Sequence, residues 1–286
     1  MSQRYFSPVI VTGMHRSGTS IVTRLLEKLG LLVGVKKDQN CESIFFQDLN
    51  KWMLLQCDGS WEHPRQIHYI LDNPDILTMT ADYLQYWLKT PHIVAYLGLA
   101  NYLRYLNMFR ISRPWGWKDP RNTFTLPIWL KLFPEAKVIN IYRHGLDIAQ
   151  SLKTRHDSYL AQNAQLHERR KWYYWTRMKR GGFAGATRSA TLDGAFAIWE
   201  EYMEEDFRQA EALGERVVRV KYEDFLESPC DVLEKLVAFC GLDASQDDIA
   251  SVTGELRKSR RYAYLQNEKL KPWAEKYKSN LAKFGY

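Results

Sequence analysis

One short segment, Gly13-Met-His-Arg-Ser-Gly-Thr-Ser20, constrains this chain more than any other. It follows the β-branched run Pro8-Val-Ile-Val-Thr-Gly13, which reads as a buried strand of a parallel sheet. After it Ile21, Leu25, Leu26 and Leu29 recur at helical spacing, and Gly30 supplies the stop. Strand, glycine loop and helix form the opening half of an α/β unit, with backbone N–H groups and a helix dipole turned toward a phosphate. The glycine spacing, GxxxxG, is that of a P-loop, but Thr19 occupies the position of the P-loop lysine. The cation lies inside the loop instead, as Arg16. Without the lysine a triphosphate loses its β/γ clamp, and no second strand ends in a magnesium-holding Asp. An ATP-dependent P-loop kinase is therefore the disfavoured alternative.

The remaining pattern repeats the alternation. Lys137–Tyr142 and Arg216–Lys221 read as strands, and Trp115–Arg121 as a short segment that stops at proline. Helices are expected over about 42–55, over 75–110 with a break at Thr90-Pro91, and from the DPR segment to Phe133-Pro134. Others are expected over Gly145–Lys153, from Asp193 as N-cap to Leu213, and over Pro229–Cys240. Alternating strands and helices imply a parallel sheet with right-handed crossovers. No repeat or low-complexity linker interrupts the 286 residues, so the expectation is one α/β domain with helical insertions.

Charge narrows the partner. The excess of basic over acidic side chains is 40 − 33 = +7, and residues 153–190 alone hold nine Lys/Arg against two acids. The donor-side candidates below belong to a remainder that is neutral overall. Aromatic rings interleave with the cations in Arg169-Arg-Lys-Trp-Tyr-Tyr-Trp-Thr-Arg177, a composition suited to sugar faces and to anionic acceptors. The same aromatics would otherwise serve as core or as a homodimer contact. No nucleic-acid-binding signature accompanies them, so nucleic acid is not the expected partner. Four cysteines, Cys41, Cys57, Cys230 and Cys240, form no CxxC pair, and the histidines show no metal-ligand spacing. No apolar stretch reaches the ~18 residues of a membrane span, and the first residues lack a secretory leader. A reducing, cytoplasmic setting without a metal is the expectation.

The loop Gly13–Ser20 resembles the 5′-phosphosulfate loop of sulfotransferases that use 3′-phosphoadenosine 5′-phosphosulfate (PAPS). It is most similar to the Golgi-type and bacterial branches, which carry arginine there. Three further segments agree in order. Arg143, ending a strand, and Ser151, in the next helix, resemble the pair that holds the 3′-phosphate, a fork and a hydroxyl suited to a dianion. Trp117-Lys118-Asp-Pro-Arg121 resembles the KDP segment of tyrosylprotein and related sulfotransferases, whose lysine reaches the sulfuryl group. Val220-Lys-Tyr222-Glu-Asp-Phe is similar to the strand end whose tyrosine lies near adenine. The resemblance covers about residues 8–30 and 115–242. It implies a single P-loop NTPase-like domain over 1–286, with a parallel sheet of four to five strands and insertions over about 56–114 and 153–192.

It also implies an enzyme that moves a sulfuryl group from PAPS to an acceptor hydroxyl, releasing adenosine 3′,5′-bisphosphate without a metal. Arg16, Ser17, Gly18, Thr19 and Ser20 would hold the 5′-phosphate, Arg143 and Ser151 the 3′-phosphate, and Tyr222 the base. Arg16 and Lys118 would offset charge developing on either side of the transferring group. Glu42 is the candidate general base, with His63 and Asp38 as alternatives; His15, inside the loop, faces either the site or solvent. A glycan, including an acidic one, is the leading acceptor, with phenols, peptidyl-tyrosine and small alcohols as alternatives. Trp61, Trp115 and Trp117 would extend its binding surface, Gly181-Gly182 would hinge a lid, and the basic cluster 257–261 would return to the 3′-phosphate.

Overall fold

The computed structural model describes residues 5–254, 256 and 260–286, which form two compact units. The first comprises residues up to Arg143 together with Tyr202–Arg261, and contains a four-stranded sheet. Its strands are β1 (Val9–Thr12), β2 (Gly116–Lys118), β3 (Lys137–Tyr142) and β4 (Val217–Lys221), all parallel, in the order β2-β1-β3-β4. β1 is buried throughout, as its unbroken apolar run requires in a central strand. β4, at the edge, alternates valines with Arg219 and Lys221. Parallel register brings the carboxyl ends together: Val11 pairs with Lys118, Thr12 with Asn140 and Tyr142 with Lys221. β1 and β3 flank the point where strand order reverses, the crevice in which open α/β sheets bind ligands.

Helices cover the sheet with two different cores. α1 (Thr19–Lys28), α10 (Pro229–Cys240) and α11 (Gln246–Thr253) pack an aliphatic layer of Val22, Leu25, Leu26, Leu233 and Leu236 against Val9, Val11, Ile139 and Ile141. The short α9 (Tyr222–Glu227) adds Phe225 and Leu226 to it. α2 (Ile44–Leu55) and α6 (Asn122–Leu132) build an aromatic core: Phe46 stacks on Trp117 at 3.9 Å and 3°, and Trp129 meets Trp117 edge-on. Trp115 and Trp117 are fully buried here. They are core, not acceptor surface, because their indoles fill the layer between β2 and α2.

The helix expected over 75–110 is α4 (Pro74–Trp87) and α5 (Val94–Tyr105), joined through a 3₁₀ turn at Pro91 and preceded by the single turn α3 (His68–Leu71). A second break, absent from the sequence reading, falls at Gly98, whose φ of 72° and ψ of 164° interrupt α5.

The second unit comprises His144–Glu201 and Tyr262–Tyr286. Its α7 runs over Gly145–Arg170, far past the expected stop at Lys153, since nothing between Leu152 and Arg170 breaks a helix. It passes into a 3₁₀ turn, Lys171–Trp175. α8 spans Leu192–Leu213; Asp193 lies in its first turn, where its carboxylate accepts from Lys276 and Tyr277 instead of capping. α12 (Lys271–Lys276) and α13 (Lys278–Ala282) complete the unit, with Tyr277 stacked on Phe196 at 3.8 Å and Asp147 accepting the backbone N–H of Tyr264 at 2.7 Å. Among the described residues no helix is long and apolar enough to cross a membrane, and all four cysteines are unpaired thiols.

Candidate active site

At the end of β1 the chain turns through a loop that only glycine can form at two points. Gly13 sits at φ +126°, and a Cβ there would lie 2.1 Å from the Ile141 carbonyl oxygen. Gly18, at φ +99°, is the N-cap of α1, and a Cβ there would lie 2.3 Å from the Tyr222 ring. Arg16 is also left-handed, at φ 72°, which costs a side-chain-bearing residue roughly 1–2 kcal/mol. Ser17 N–H donates to the Met14 carbonyl at 3.1 Å, closing the turn, and Gly13 N–H donates to Thr123 Oγ1 at 3.1 Å. Ser17 Oγ is buried and has no hydrogen-bond partner within the protein. A buried polar atom left in this way inside a strained, glycine-lined loop is a place for a ligand oxygen.

Three arginines gather beside the loop. Arg143 donates to the Arg16 carbonyl at 3.4 Å and to the Arg260 carbonyl at 2.9 Å, and its guanidinium lies 4.9 Å from the centre of the Tyr222 ring. Burial and then the charges of Arg143 and Arg260 lower the Arg16 pKa, with Tyr222 opposing them. Like charges held this close repel, and a polyanion relieves the repulsion. Of the cluster at 257–261, residues 257–259 lie outside the described residues; Arg260 is the member seen at Arg143.

At the end of β2 the charges are matched. Lys118 and Glu42 are 2% and 4% exposed, and Lys118 Nζ donates to Glu42 Oε1 at 2.9 Å. Gln47 donates to Glu42 Oε2 at 2.8 Å, and Arg121 Nη1 stands 3.6 Å from the same oxygen. Arg121 also donates to both oxygens of Asp119, at 2.9 and 3.2 Å. Burial raises the Asp119 pKa, Arg121 opposes the shift, and Glu42 adds to it. Behind this lies a buried amide network: Asn50 donates to Asp119 and to Asn122, and accepts from Thr125 and Trp129, while Asn122 accepts from Trp117. A satisfied network of this kind fixes the side chains that it supports.

A family model described as the Sulfotransferase family matches residues 8–247. The chain belongs to the sulfotransferase family. As a sulfotransferase it is a PAPS-dependent enzyme with an α/β fold around a parallel sheet. Among solved structures it is similar to the sulfotransferase domain from the curacin biosynthetic pathway. That match has 13% identity, 98% of this chain and 99% of that one, and a TM-score of 0.51. It also matches the sulfotransferase domain of the Synechococcus PCC 7002 olefin synthase, with 18% identity over 95% of this chain and 87% of that one, at a TM-score of 0.46. Mouse sulfotransferase SULT7A1 complexed with PAP gives 13%, 93%, 68% and 0.41. No curated protein matches the chain. The first of these likenesses shows a shared fold.

The residues of this sulfotransferase fit its donor: a glycine cradle, the buried Ser17 hydroxyl and the arginine cluster suit a ligand with two phosphates. Arg16, Lys118, Arg143, Glu42, Tyr222 and the loop are all in the first unit. Ser151 lies in the second turn of α7, in the second unit. Glu42 stands two residues before α2, not within its first turn. Asp38 accepts the backbone N–H of Asn40 and of Glu42, at 2.8 and 2.9 Å, so it builds the turn that carries Glu42. His63 is exposed, and the His15 ring lies 4.7 Å from that of Trp61.

Arg121, Gln47 and Asn50 escaped the sequence reading. Arg121 stands inside the quoted KDP segment, and its spacing of two from Asp119 was the available signal; Asn50 had none, since its partners lie 69 to 79 residues away. Asp206 is a further case. It is buried, and burial pushes its pKa up to about 7 against the opposing Asn140, Thr123 and Arg219, with Glu205 adding to the rise.

Proposed function

We propose that this sulfotransferase acts on a hydroxyl of a carbohydrate by in-line displacement. PAPS, when bound, supplies an activated sulfuryl group and leaves as adenosine 3′,5′-bisphosphate. The observation that carries the reading is the buried Glu42–Lys118 pair at 2.9 Å, at the carboxyl end of β2 and in register with the strand that opens the phosphate loop. Lys118 spends one of its three N–H bonds on Glu42 and keeps two for an anionic group. Glu42, so positioned, accepts the acceptor's proton. Arg16, the loop N–H groups and Ser17 offset charge on the departing phosphate. Arg143 holds the 3′-phosphate, a role that the family resemblance also gives to Ser151, and Tyr222 faces the adenine. The arginine within the loop supports placing the chain with the Golgi-type and bacterial branches.

A cleft of about 400 Å³ supports a carbohydrate acceptor. Phe45 and Trp52, on the helix that begins two residues after Glu42, line it together with Tyr83 and Trp87 of α4 and His92 of the following 3₁₀ turn. Ring faces of this kind stack on the C–H faces of sugars, and Asp48 and Lys36 supply polar groups beside them. The test is a screen with PAPS against glycans, phenols and tyrosyl peptides, read by product mass for an added sulfuryl group. Sulfated glycan is the expected product, and Trp52→Ala should raise the KM for it while leaving the KM for PAPS unchanged. Sulfation of phenols or peptides alone would replace the carbohydrate reading.

A further inference from the structure

The second unit carries a cationic surface with exposed aromatic side chains. Residues 166–183 hold six Lys/Arg against one Glu. Lys171 pairs with that acid, Glu168, at 2.7 Å. Arg170, Arg177, Lys179 and Arg180, with Tyr173 and Tyr174, line a concavity of about 840 Å³. Met178, 92% exposed, lies at its lining too, and Trp172 and Trp175, outside that lining, are 74% and 92% exposed. The two tryptophans lie in the 3₁₀ turn Lys171–Trp175, and three residues per turn set positions i and i+3 on one edge. Both indoles therefore project from the same side. They do not line the concavity, as rings reading a sugar would. Tryptophan tips that stand free of a cationic surface match the interfacial zone of a bilayer, where an indole buries its ring and cations meet headgroup charge.

We propose that residues 166–183 dock this protein onto anionic lipid bilayers, with Trp172, Trp175 and Met178 entering the interface and the basic residues facing acidic headgroups. The complementarity is of charge and of polarity, with exposed apolar side chains interspersed among exposed cations. The surface is independent of the acceptor reading, because none of its residues belongs to the aromatic cleft or to the Glu42–Lys118 site.

The experiment is vesicle co-sedimentation of the full chain, with phosphatidylcholine alone and with phosphatidylcholine containing phosphatidylserine, at low and high salt. The expected result is binding to the anionic vesicles only, weakened by salt. Replacing Arg170, Arg177 and Arg180 by Gln should lower it about 10²-fold, since each cation near such a surface contributes about 1 kcal/mol. Trp172→Ala with Trp175→Ala should lower it roughly 10-fold by removing the inserted area. These side chains are solvent-facing, and unchanged circular dichroism and thermal unfolding would show the variants folded. Absence of vesicle binding overturns the proposal, as does vesicle binding unaffected by either variant. Retention on a soluble sulfated glycan through the same arginines, without vesicle binding, makes the surface a glycan site and also overturns it.

Discussion

At the carboxyl end of β2, Lys118 and Arg121 meet Glu42 and Asp119, with each cation within 4 Å of a carboxylate. At the ends of β1 and β3, Arg16 is set against Arg143 and Arg260, and burial and then their charges lower its pKa. The first region is balanced by the chain itself and is backed by the amide network of Asn50 and Asn122. The second accumulates charge of one sign around a strained loop. In the proposed function the difference separates two tasks: balanced charge would position a reacting group, and accumulated charge would bind a polyanion. Catalysis of a transfer between oxygens needs both.

Removing one partner from the balanced region should have the largest effect. Lys118→Met leaves the Glu42 carboxylate buried beside one less cation, and should cost about 3–5 kcal/mol in urea denaturation. It should also lower kcat by roughly 10²–10³. Adding Glu42→Gln should restore much of the stability and none of the turnover. A double variant as unstable as the single one would show that the pair is not the unit described here.

The arginine cluster should respond in the opposite way. Arg143→Ala should weaken adenosine 3′,5′-bisphosphate binding by about 1.5–3 kcal/mol, roughly 10- to 100-fold, by calorimetry. Unliganded stability should hold or rise as the repulsion on Arg16 is relieved. A stability loss comparable to that of Lys118→Met would erase the contrast between the two regions.

Asp206 sharpens the contrast through pH. Its folded-state pKa of about 7 lies above that of an unfolded aspartate, so the native state keeps a proton that the unfolded state has lost. Its contribution to stability is therefore full below about pH 4 and is lost as pH rises to about 7, at up to about 1.4 kcal/mol per pH unit. Asp206→Asn should remove this decline, so that the variant gains on the wild type between pH 5 and 7 in denaturation curves. Parallel curves would show that Asp206 is ionised throughout. The smallest effect belongs to His63→Ala: with Glu42 as the proposed base, this exposed side chain should leave kcat and both KM values unchanged.

The placing of the glycine loop, Arg143 and Tyr222 in one unit was legible in the sequence because its parts are local. Gly13, Gly18 and Arg16 share one loop, and Arg143 and Tyr222 each follow directly on a strand, so parallel register alone brings them together. The surroundings of Glu42 were not legible to the same degree. Its partners come from Lys118, 76 residues away, and from a turn built by Asp38 and by Cys41 at φ 61°. Trp115 and Trp117 were misplaced at the surface because an aromatic residue beside a motif looks the same whether it binds a ligand or fills a core. Burial distinguishes the two, and it depends on Phe46 from a distant helix. α7 was read too short because its polar second half has no apolar face to give it a period.

The assignment of Glu42 as base and of the arginines as donor clamp rests most directly on Glu42→Gln, which keeps the side chain's size and its capacity to accept from Lys118. Steady-state turnover at saturating PAPS, measured together with the Kd for adenosine 3′,5′-bisphosphate, separates the two tasks. The account predicts a kcat lowered by roughly 10²–10⁴ with an unchanged Kd. Full turnover in that variant, or a Kd weakened as much as kcat, would contradict it.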